Sequence, residues 1–410
     1  MTEQKNTISF ENTAIAFAYK NTRELKKAHF LFSSMGKPWL VNLGLKLTPT
    51  AISWHIPFTN TIIRQTIFQQ FVGGETLEET AKVADKLEEY NVQVILDYGV
   101  EGKEGEENFE HARDEFIKVI TYAATQANIP FMSVKVTGFA RFTLLEKLDA
   151  AMNASTGTLM KRYLNAVENL ATVEKEEWHR VRLRILQVCE EAAKKNIAVL
   201  IDAEETWIQD PVDALTILMM DTFNKNRVVV FNTLQLYRHD RLKFLKDSYT
   251  AAEERNFILG AKLVRGAYMD KERTRAAAMN YPSPIQPNKE ACDKDYNEAV
   301  AFCIEHLDKI SVIVASHNEY SNLYTTQLLD EKKLPHHHPH VHFSQLYGMS
   351  DNITFNLAKW GFSVSKYLPF GPIKDVIPYL MRRAQENSSV AGQTGRELAL
   401  IKKEIQRRSV

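Results

Sequence analysis

Several things that mark familiar protein classes are scarce or missing in this sequence. Cysteine occurs three times in 410 residues, at Cys189, Cys292 and Cys303, with no CxxC pair. That excludes a disulfide framework and a zinc knuckle, and fits a reducing compartment. Glycine is also sparse, with 16 residues and neither GxGxxG nor GxxxxGK[ST]. A Rossmann or P-loop nucleotide domain is therefore not expected. No apolar run approaches the ~18 residues a membrane span needs. The start, MTEQKNTISFENTAIAFAYK, lacks the charged n-region, apolar run and cleavage site of a signal peptide. It contains no arginine before Arg23, so it is a poor mitochondrial transit peptide. Net charge is missing too: 51 Lys and Arg balance 51 Asp and Glu. There is no basic excess for a nucleic-acid binder, and the overall balance gives no support to a polybasic membrane anchor. We expect a cytoplasmic location, peripheral to the inner membrane at most.

What is present is an ordinary core-forming composition, 44% hydrophobic and 25% charged. Residues 1–90 read mainly as a helical arm, with Thr76-Leu77-Glu78-Glu79 forming a capping-box pattern after Gly73-Gly74. From there, eight short runs rich in Val and Ile recur. They lie at 92–100, 131–139, 198–205, 227–237, 259–267, 311–317, 342–348 and 362–369. Each is followed by enough chain for a helix, the pattern of buried parallel strands. Eight such units predict an α/β fold, a (β/α)8 TIM-type barrel, over residues 91–395, with an insertion near 141–195. The tail, 396–410, reads as a charged, solvated helix. The dense cluster His336, His337, His338, His340 and His342 reads as a polar loop leading into strand seven. Consecutive histidines diverge in direction, and no carboxylate or cysteine stands at ligand spacing.

In such a barrel, side chains at strand C-terminal ends face the catalytic mouth. Asp97, Lys135, Asp202, Glu204, Gln235, Arg265, His317 and Tyr367 fall there. Singly, each has a plainer reading, since a Lys or Asp at a strand end is more often a solvated loop residue or helix cap than a catalyst. Lys135 and Asp202 close apolar runs, where a charge must be paired or must bind something. The sharpest constellation is on the helix after strand eight. Tyr379, Arg382, Arg383 and Glu386 are three and four residues apart, so they share one stripe. Two guanidinium forks can clamp one carboxylate, with Glu386 orienting them. The competing explanation is an exposed helix with an ordinary Arg–Glu pair, worth little.

From about Gly73 to Ser389 the sequence resembles the proline dehydrogenase family. The resemblance is carried, in order, by LDYGVEG (96–102), SVKVTG (133–138), LIDAEE (200–205), AKLVRGAYMDKER (261–273), VASHN (314–318), QLYGMSDN (345–352) and the YLPFGP…YLMRRAQENSS block (367–389). It implies a distorted (β/α)8 barrel with a helical N-terminal arm. The KLVR order of Lys262 to Arg265 resembles the stand-alone branch, and no aldehyde dehydrogenase domain follows Val410, so a monofunctional enzyme is expected.

The resemblance further implies non-covalent FAD and oxidation of L-proline to Δ1-pyrroline-5-carboxylate by direct hydride transfer. Electrons would pass to a quinone, and a separate pyrroline-5-carboxylate (glutamate semialdehyde) dehydrogenase would take the product onward. By family match, Arg382, Arg383 and Lys135 hold the carboxylate, and Tyr367, Tyr379 and Leu346 wall the ring. Asp202 and Glu386 balance the cations. Gln235, Lys262, Arg265, Gly266, Ala267, Tyr268, His317 and Asn318 fall at cofactor-binding positions. Two alternatives are weighed: hydroxyproline oxidation, which the bulk of Tyr367 disfavours, and a non-catalytic barrel binding an anionic metabolite.

Overall fold

The computed structural model describes residues 8–54, 58–99, 104–389 and 391–409. Glu101, Gly102 and Val100 of the first motif lie outside them. All eight apolar runs form strands, each shorter than its run. They are β1 (Gln93–Tyr98), β2 (Phe131–Val134), β3 (Ala198–Ile201), β4 (Val230–Gln235), β5 (Leu259–Val264), β6 (Ile310–Ala315), β7 (Val341–Leu346) and β8 (Val364–Phe370). They close a barrel in the order β1 to β8. The recorded ladders are all parallel, as near-continuous apolar runs require. β1 to β7 stop short of the ends of their runs, which continue into the loops, whereas β8 extends one residue past its own, to Phe370.

Two compact units make up the chain, 1–100 with 343–410 and 101–342. In the first, β8 pairs with β1 and β7, so Tyr367 stands opposite Ile95 on one side and Leu346 on the other. Its second core layer is helical. Leu25, Ala28 and Phe32 of the helix Thr22–Met35 pack with Val376 and Leu380 of Ile373–Ser389 and with Leu400 and Ile401 of Ala391–Arg408. The capping pattern at Thr76 is realised: its side chain accepts from Glu79 N, opening the helix Leu77–Glu88. The Glu79 carboxylate reaches back one residue further than a capping box, accepting from Glu75 N at 2.9 Å.

The C-terminal helix corrects one expectation, because it is not simply solvated. Leu400 and Ile401 are buried, and so is Glu404, which gathers Arg407 and Arg408 at 2.8 and 2.7 Å. Arg408 also donates to the carbonyls of Lys20 and Phe17, at 2.7 and 2.8 Å. Arg408 looks solvent-facing in sequence because these carbonyls lie almost four hundred residues away.

In the second unit the insertion is three helices, Phe142–Asn153, Leu159–Glu168 and Thr172–Lys195. Trp178 is buried there and donates from its indole N–H to the Tyr163 hydroxyl at 2.9 Å. Arg184, 1% exposed, is held by Glu110 at 2.7 Å, by Glu106 and by the Phe139 carbonyl at 3.1 Å. Of the histidine cluster, His336 pairs with Asp330 at 3.1 Å and His340 with the Leu307 carbonyl at 2.6 Å. His342 belongs to β7 itself and packs against Phe131. Burial pushes it down to about 3, so it is a neutral core residue.

Candidate active site

The residues at the strand ends fall into two groups, one in each unit. In the second unit, Lys135 follows β2 directly and Asp202 follows β3 directly. Gln235 ends β4 and Arg265 comes straight after β5. Lys262, inside β5, reaches Asp202 at 2.5 Å, and both are buried. The apolar run LIDAEE thus ends in a charge that does have a partner, as burial demands.

Beside it lies Glu204, which the strand-end pattern places at the mouth but to which it gives no role. Glu204 is buried, accepts from the Thr137 hydroxyl at 2.7 Å and takes Gln209 Oε1 on its own backbone N–H at 3.0 Å. Burial pushes its carboxyl up to about 7, against the pull of the Thr137 hydrogen bond and the Lys135 charge. The doubled acid in LIDAEE was the available signal. Both glutamates are buried, Glu204 against Thr137 and Glu205 against Lys271, and sequence alone does not give those partners.

Gln235 donates to the Glu204 carbonyl at 2.8 Å, while its Oε1 is buried without a hydrogen-bond partner among the described residues. Arg265 is more committed than expected. Its Nε bonds Asp293 at 2.7 Å, and its terminal nitrogens bond Ser316 at 2.7 Å and Ser321 at 2.9 Å, with the guanidinium 4.2 Å from the Tyr296 ring centre. The nitrogen that meets Ser321 also lies 2.7 Å from Asp293, so only the second N–H of the nitrogen that meets Ser316 remains for a ligand. Asn318 caps the helix Glu319–Glu331 through its side chain, which identifies a local reason for its presence. Gly266 adopts φ +132°, and a Cβ there would lie 2.4 Å from the Tyr237 ring. The exposed turn Gly266-Ala267 and the half-buried Tyr268 therefore depend on a glycine.

In the first unit, the stripe expected on the helix after β8 exists and is not solvated. On Ile373–Ser389, Arg383 and Tyr379 are buried, whereas Arg382 and Glu386 are half-buried. Arg383 donates to Glu386 at 2.6 Å, and its guanidinium lies 5.1 Å from the Tyr379 ring centre. Its Nε and the Tyr379 hydroxyl are buried without hydrogen-bond partners among the described residues. Burial raises the Tyr379 phenol well above its usual value, despite Arg383. Burial likewise raises the Glu386 carboxyl, against Arg383 and Arg382. A buried arginine with one carboxylate and one idle donor differs from a surface ion pair. It is arranged to receive a further acceptor.

A sequence profile described as proline dehydrogenase matches residues 80–396. The chain belongs to the proline dehydrogenase family. Over 98% of its length it is 30% identical to proline dehydrogenase 1, mitochondrial, of Caenorhabditis elegans, covering 88% of that relative. It is 28% identical to a hydroxyproline dehydrogenase of Xenopus laevis, over 99% of this chain and 91% of that one. Among solved structures it is similar to proline utilization A from Bdellovibrio bacteriovorus inactivated by N-propargylglycine, with a TM-score of 0.70 and 19% identity. The alignment covers 95% of this chain and 40% of that much longer one, which establishes a shared fold. The barrel expected from eight apolar runs is thus found both in the chain and in its family. Among the described residues, no helix is long and apolar enough to cross a membrane.

Proposed function

We propose that this proline dehydrogenase family member oxidises L-proline to Δ1-pyrroline-5-carboxylate with FAD as its cofactor. A quinone would be the final acceptor, and a separate pyrroline-5-carboxylate dehydrogenase would consume the product. The proposed setting is the cytoplasm, with at most peripheral contact at the inner membrane. The observation that carries the reading is Arg383, buried against Glu386 and Tyr379 with its Nε idle. Proline offers a carboxylate that such a donor can bind, and ring methylenes that need an apolar wall.

Arg383 and Arg382 are assigned the substrate carboxylate, Lys135 a third positive charge for it, and Glu386 and Asp202 the balancing negative charges. Tyr367, Tyr379 and Leu346 are assigned the ring. The register that sets Tyr367 opposite Leu346 supports two members of that wall.

The residues of the second unit fit a flavin. Its ring system presents both acceptors and an imide N–H. Lys262 and the one remaining Arg265 donor suit the acceptors, and the Gln235 Oε1, unpartnered among the described residues, suits the N–H. Gly266-Ala267-Tyr268, His317 and Asn318 are assigned to the same cofactor. Bound FAD supplies the two-electron acceptor. The chain's cations have a second effect, because they disfavour the protonated ring amine and so favour the neutral form whose lone pair drives oxidation.

The test is anaerobic addition of L-proline to purified protein while the flavin absorbance is followed. Bleaching is expected, and faster bleaching as pH rises until the bound amine is neutral. Colourless protein that takes up no FAD would instead favour a barrel that binds an anionic metabolite. Parallel addition of hydroxyproline separates the two oxidation readings, and the bulk of Tyr367 predicts the weaker response for hydroxyproline.

A further inference from the structure

The backbone of Glu204 is held from both sides. Its N–H donates to Gln209 Oε1 at 3.0 Å, and its carbonyl accepts from Gln235 Nε2 at 2.8 Å. Gln209 opens the helix Gln209–Phe223 and is 1% exposed, so the other end of its amide also needs a partner inside the protein. That partner is one turn on, where Nε2 donates to Asp213 Oδ1 at 2.9 Å. The same oxygen accepts from Asn232 Nδ2 at 2.9 Å, and Oδ2 accepts from Arg241 Nη1 at 2.5 Å. All four residues are buried, and none has a role in the site described above.

The two ends of a side-chain amide are nearly equal in shape and differ in hydrogen-bond sense, so only its partners fix which way it points. Here the choice starts at Asp213, because an ionised carboxylate only accepts. Burial pushes its carboxyl up, but Arg241 and both amide donors oppose that. Gln209 therefore turns its NH2 to Asp213 and its oxygen to the Glu204 N–H. A backbone carbonyl also only accepts, so Gln235 gives its NH2 to Glu204. Were Gln235 reversed, two oxygens would meet at 2.8 Å with no proton between them. The Gln235 Oε1 is left buried and unpartnered among the described residues. The Glu204 side chain takes no part in this chain of bonds, since Thr137 engages it.

We propose that Gln209, oriented by Asp213, is a positioning residue for the cofactor: it holds the backbone at Glu204 so that Gln235 presents its oxygen to the flavin imide N–H. The inference rests on the assignment of Gln235 to FAD in the proposed function. It adds the residue that decides which end of that amide the flavin meets. A flavin imide N–H needs an acceptor, and a reversed Gln235 would offer it a second donor. Gln209 acts only through Gln235 and is given no contact with the flavin. A Gln209 that merely stabilised the loop after β3 would leave the electronic properties of a bound flavin untouched.

The test measures FAD affinity and, by absorbance, the alkaline titration of the imide N–H of bound FAD. Gln235→Met removes the acceptor outright. It should weaken FAD binding roughly three- to tenfold and lower the pKa of that N–H by roughly 0.5 to 1, since one neutral hydrogen bond is lost. Gln209→Met should move both readings in the same direction, although the residue lies one step further back. In the double variant the readings should match Gln235→Met alone, because Gln209 has no other route to the flavin. Gln209→Asn keeps an amide in the site but is one methylene too short to span Asp213 and Glu204, and it serves if Gln209→Met does not fold. Unchanged flavin readings in the Gln209 variants overturn the inference, as do shifts in the double variant that equal the sum of the two singles. Wild-type protein that takes up no FAD removes the proposed function and the inference with it. Normal uptake with unresponsive Gln209 variants removes the inference alone.

Discussion

Two buried cations in the same compact unit, Lys366 and Arg383, show how differently a fold can treat a charge. Lys366 lies in β8 with its side chain fully buried. It is met by Asp351 at 2.9 Å and by the Met349 carbonyl at 2.6 Å. Asp351 is in turn met by Lys20 at 3.0 Å and by the Tyr19 hydroxyl at 2.7 Å, so the charge is enclosed and spoken for. Arg383, 6% exposed, has one carboxylate and an idle Nε. The first arrangement is complete without a ligand and ties the start of the chain to the barrel. The second is completed only by something from outside. Burial of charge alone therefore does not mark a functional site; burial with unfinished hydrogen bonding does.

The comparison breaks most visibly at Asp351. Asp351→Asn leaves Lys366 and Lys20 without their shared counter-charge, and removing one partner of a buried pair costs about 3–5 kcal/mol. Chemical denaturation should show that loss, together with loosening of the N-terminal segment in hydrogen exchange. Unchanged stability would mean that Lys366 is neutral in the fold and the cluster is not ionic.

A second effect, of up to about 3 kcal/mol, lies in pH. Although burial alone would raise it, Lys20 and Lys366 hold the Asp351 carboxyl well below the usual range. Its contribution is present above an ordinary carboxylate pKa and is lost as pH falls through the lowered value. Glu397, which accepts from Ser350 N at 3.1 Å, behaves oppositely. Burial and the Asp351 charge push it up to about 7. Its contribution is complete below an ordinary glutamate pKa and is lost as pH rises through about 7. Stability should therefore fall between roughly pH 5 and 8, and Glu397→Gln should flatten that decline. A decline that survives the substitution would transfer it to another raised carboxyl, such as Glu204.

How much of this was legible in sequence follows from the range over which each feature is determined. The strands were, because a buried parallel strand writes its environment into consecutive residues. The stripe Tyr379, Arg382, Arg383 and Glu386 was also legible, since helical spacing fixes a shared face. Its burial was not, because that depends on helices from both ends of the chain. Arg265 was placed at a strand end correctly, but Asp293, Ser316 and Ser321, which occupy most of its guanidinium, lie on later segments that no local pattern connects. The Asp351 cluster was invisible for the same reason: Tyr19, Lys20, Asp351, Lys366 and Glu397 are brought together only by the fold.

The smallest effect tests the other side of the comparison. If Arg383 awaits a carboxylate, Arg383→Met should remove charge-assisted bonds worth about 1.5–3 kcal/mol. Affinity for proline should fall by roughly ten- to a hundredfold, since ~1.4 kcal/mol is a factor of ten. Arg382→Met should cost less, because a half-buried cation is better screened by water. Thermal stability should change much less than for Asp351→Asn, because the idle Nε contributes nothing to the fold and methionine keeps the stem packed against Tyr379. Pyrrolidine, which has the ring and amine of proline but no carboxylate, supplies the control. Its binding should hardly respond to either substitution. Equal losses for proline and pyrrolidine would mean that the two arginines shape the helix and do not read the carboxylate. In that case the distinction between Lys366 and Arg383 would be one of packing, and the idle donor would have to be satisfied by water.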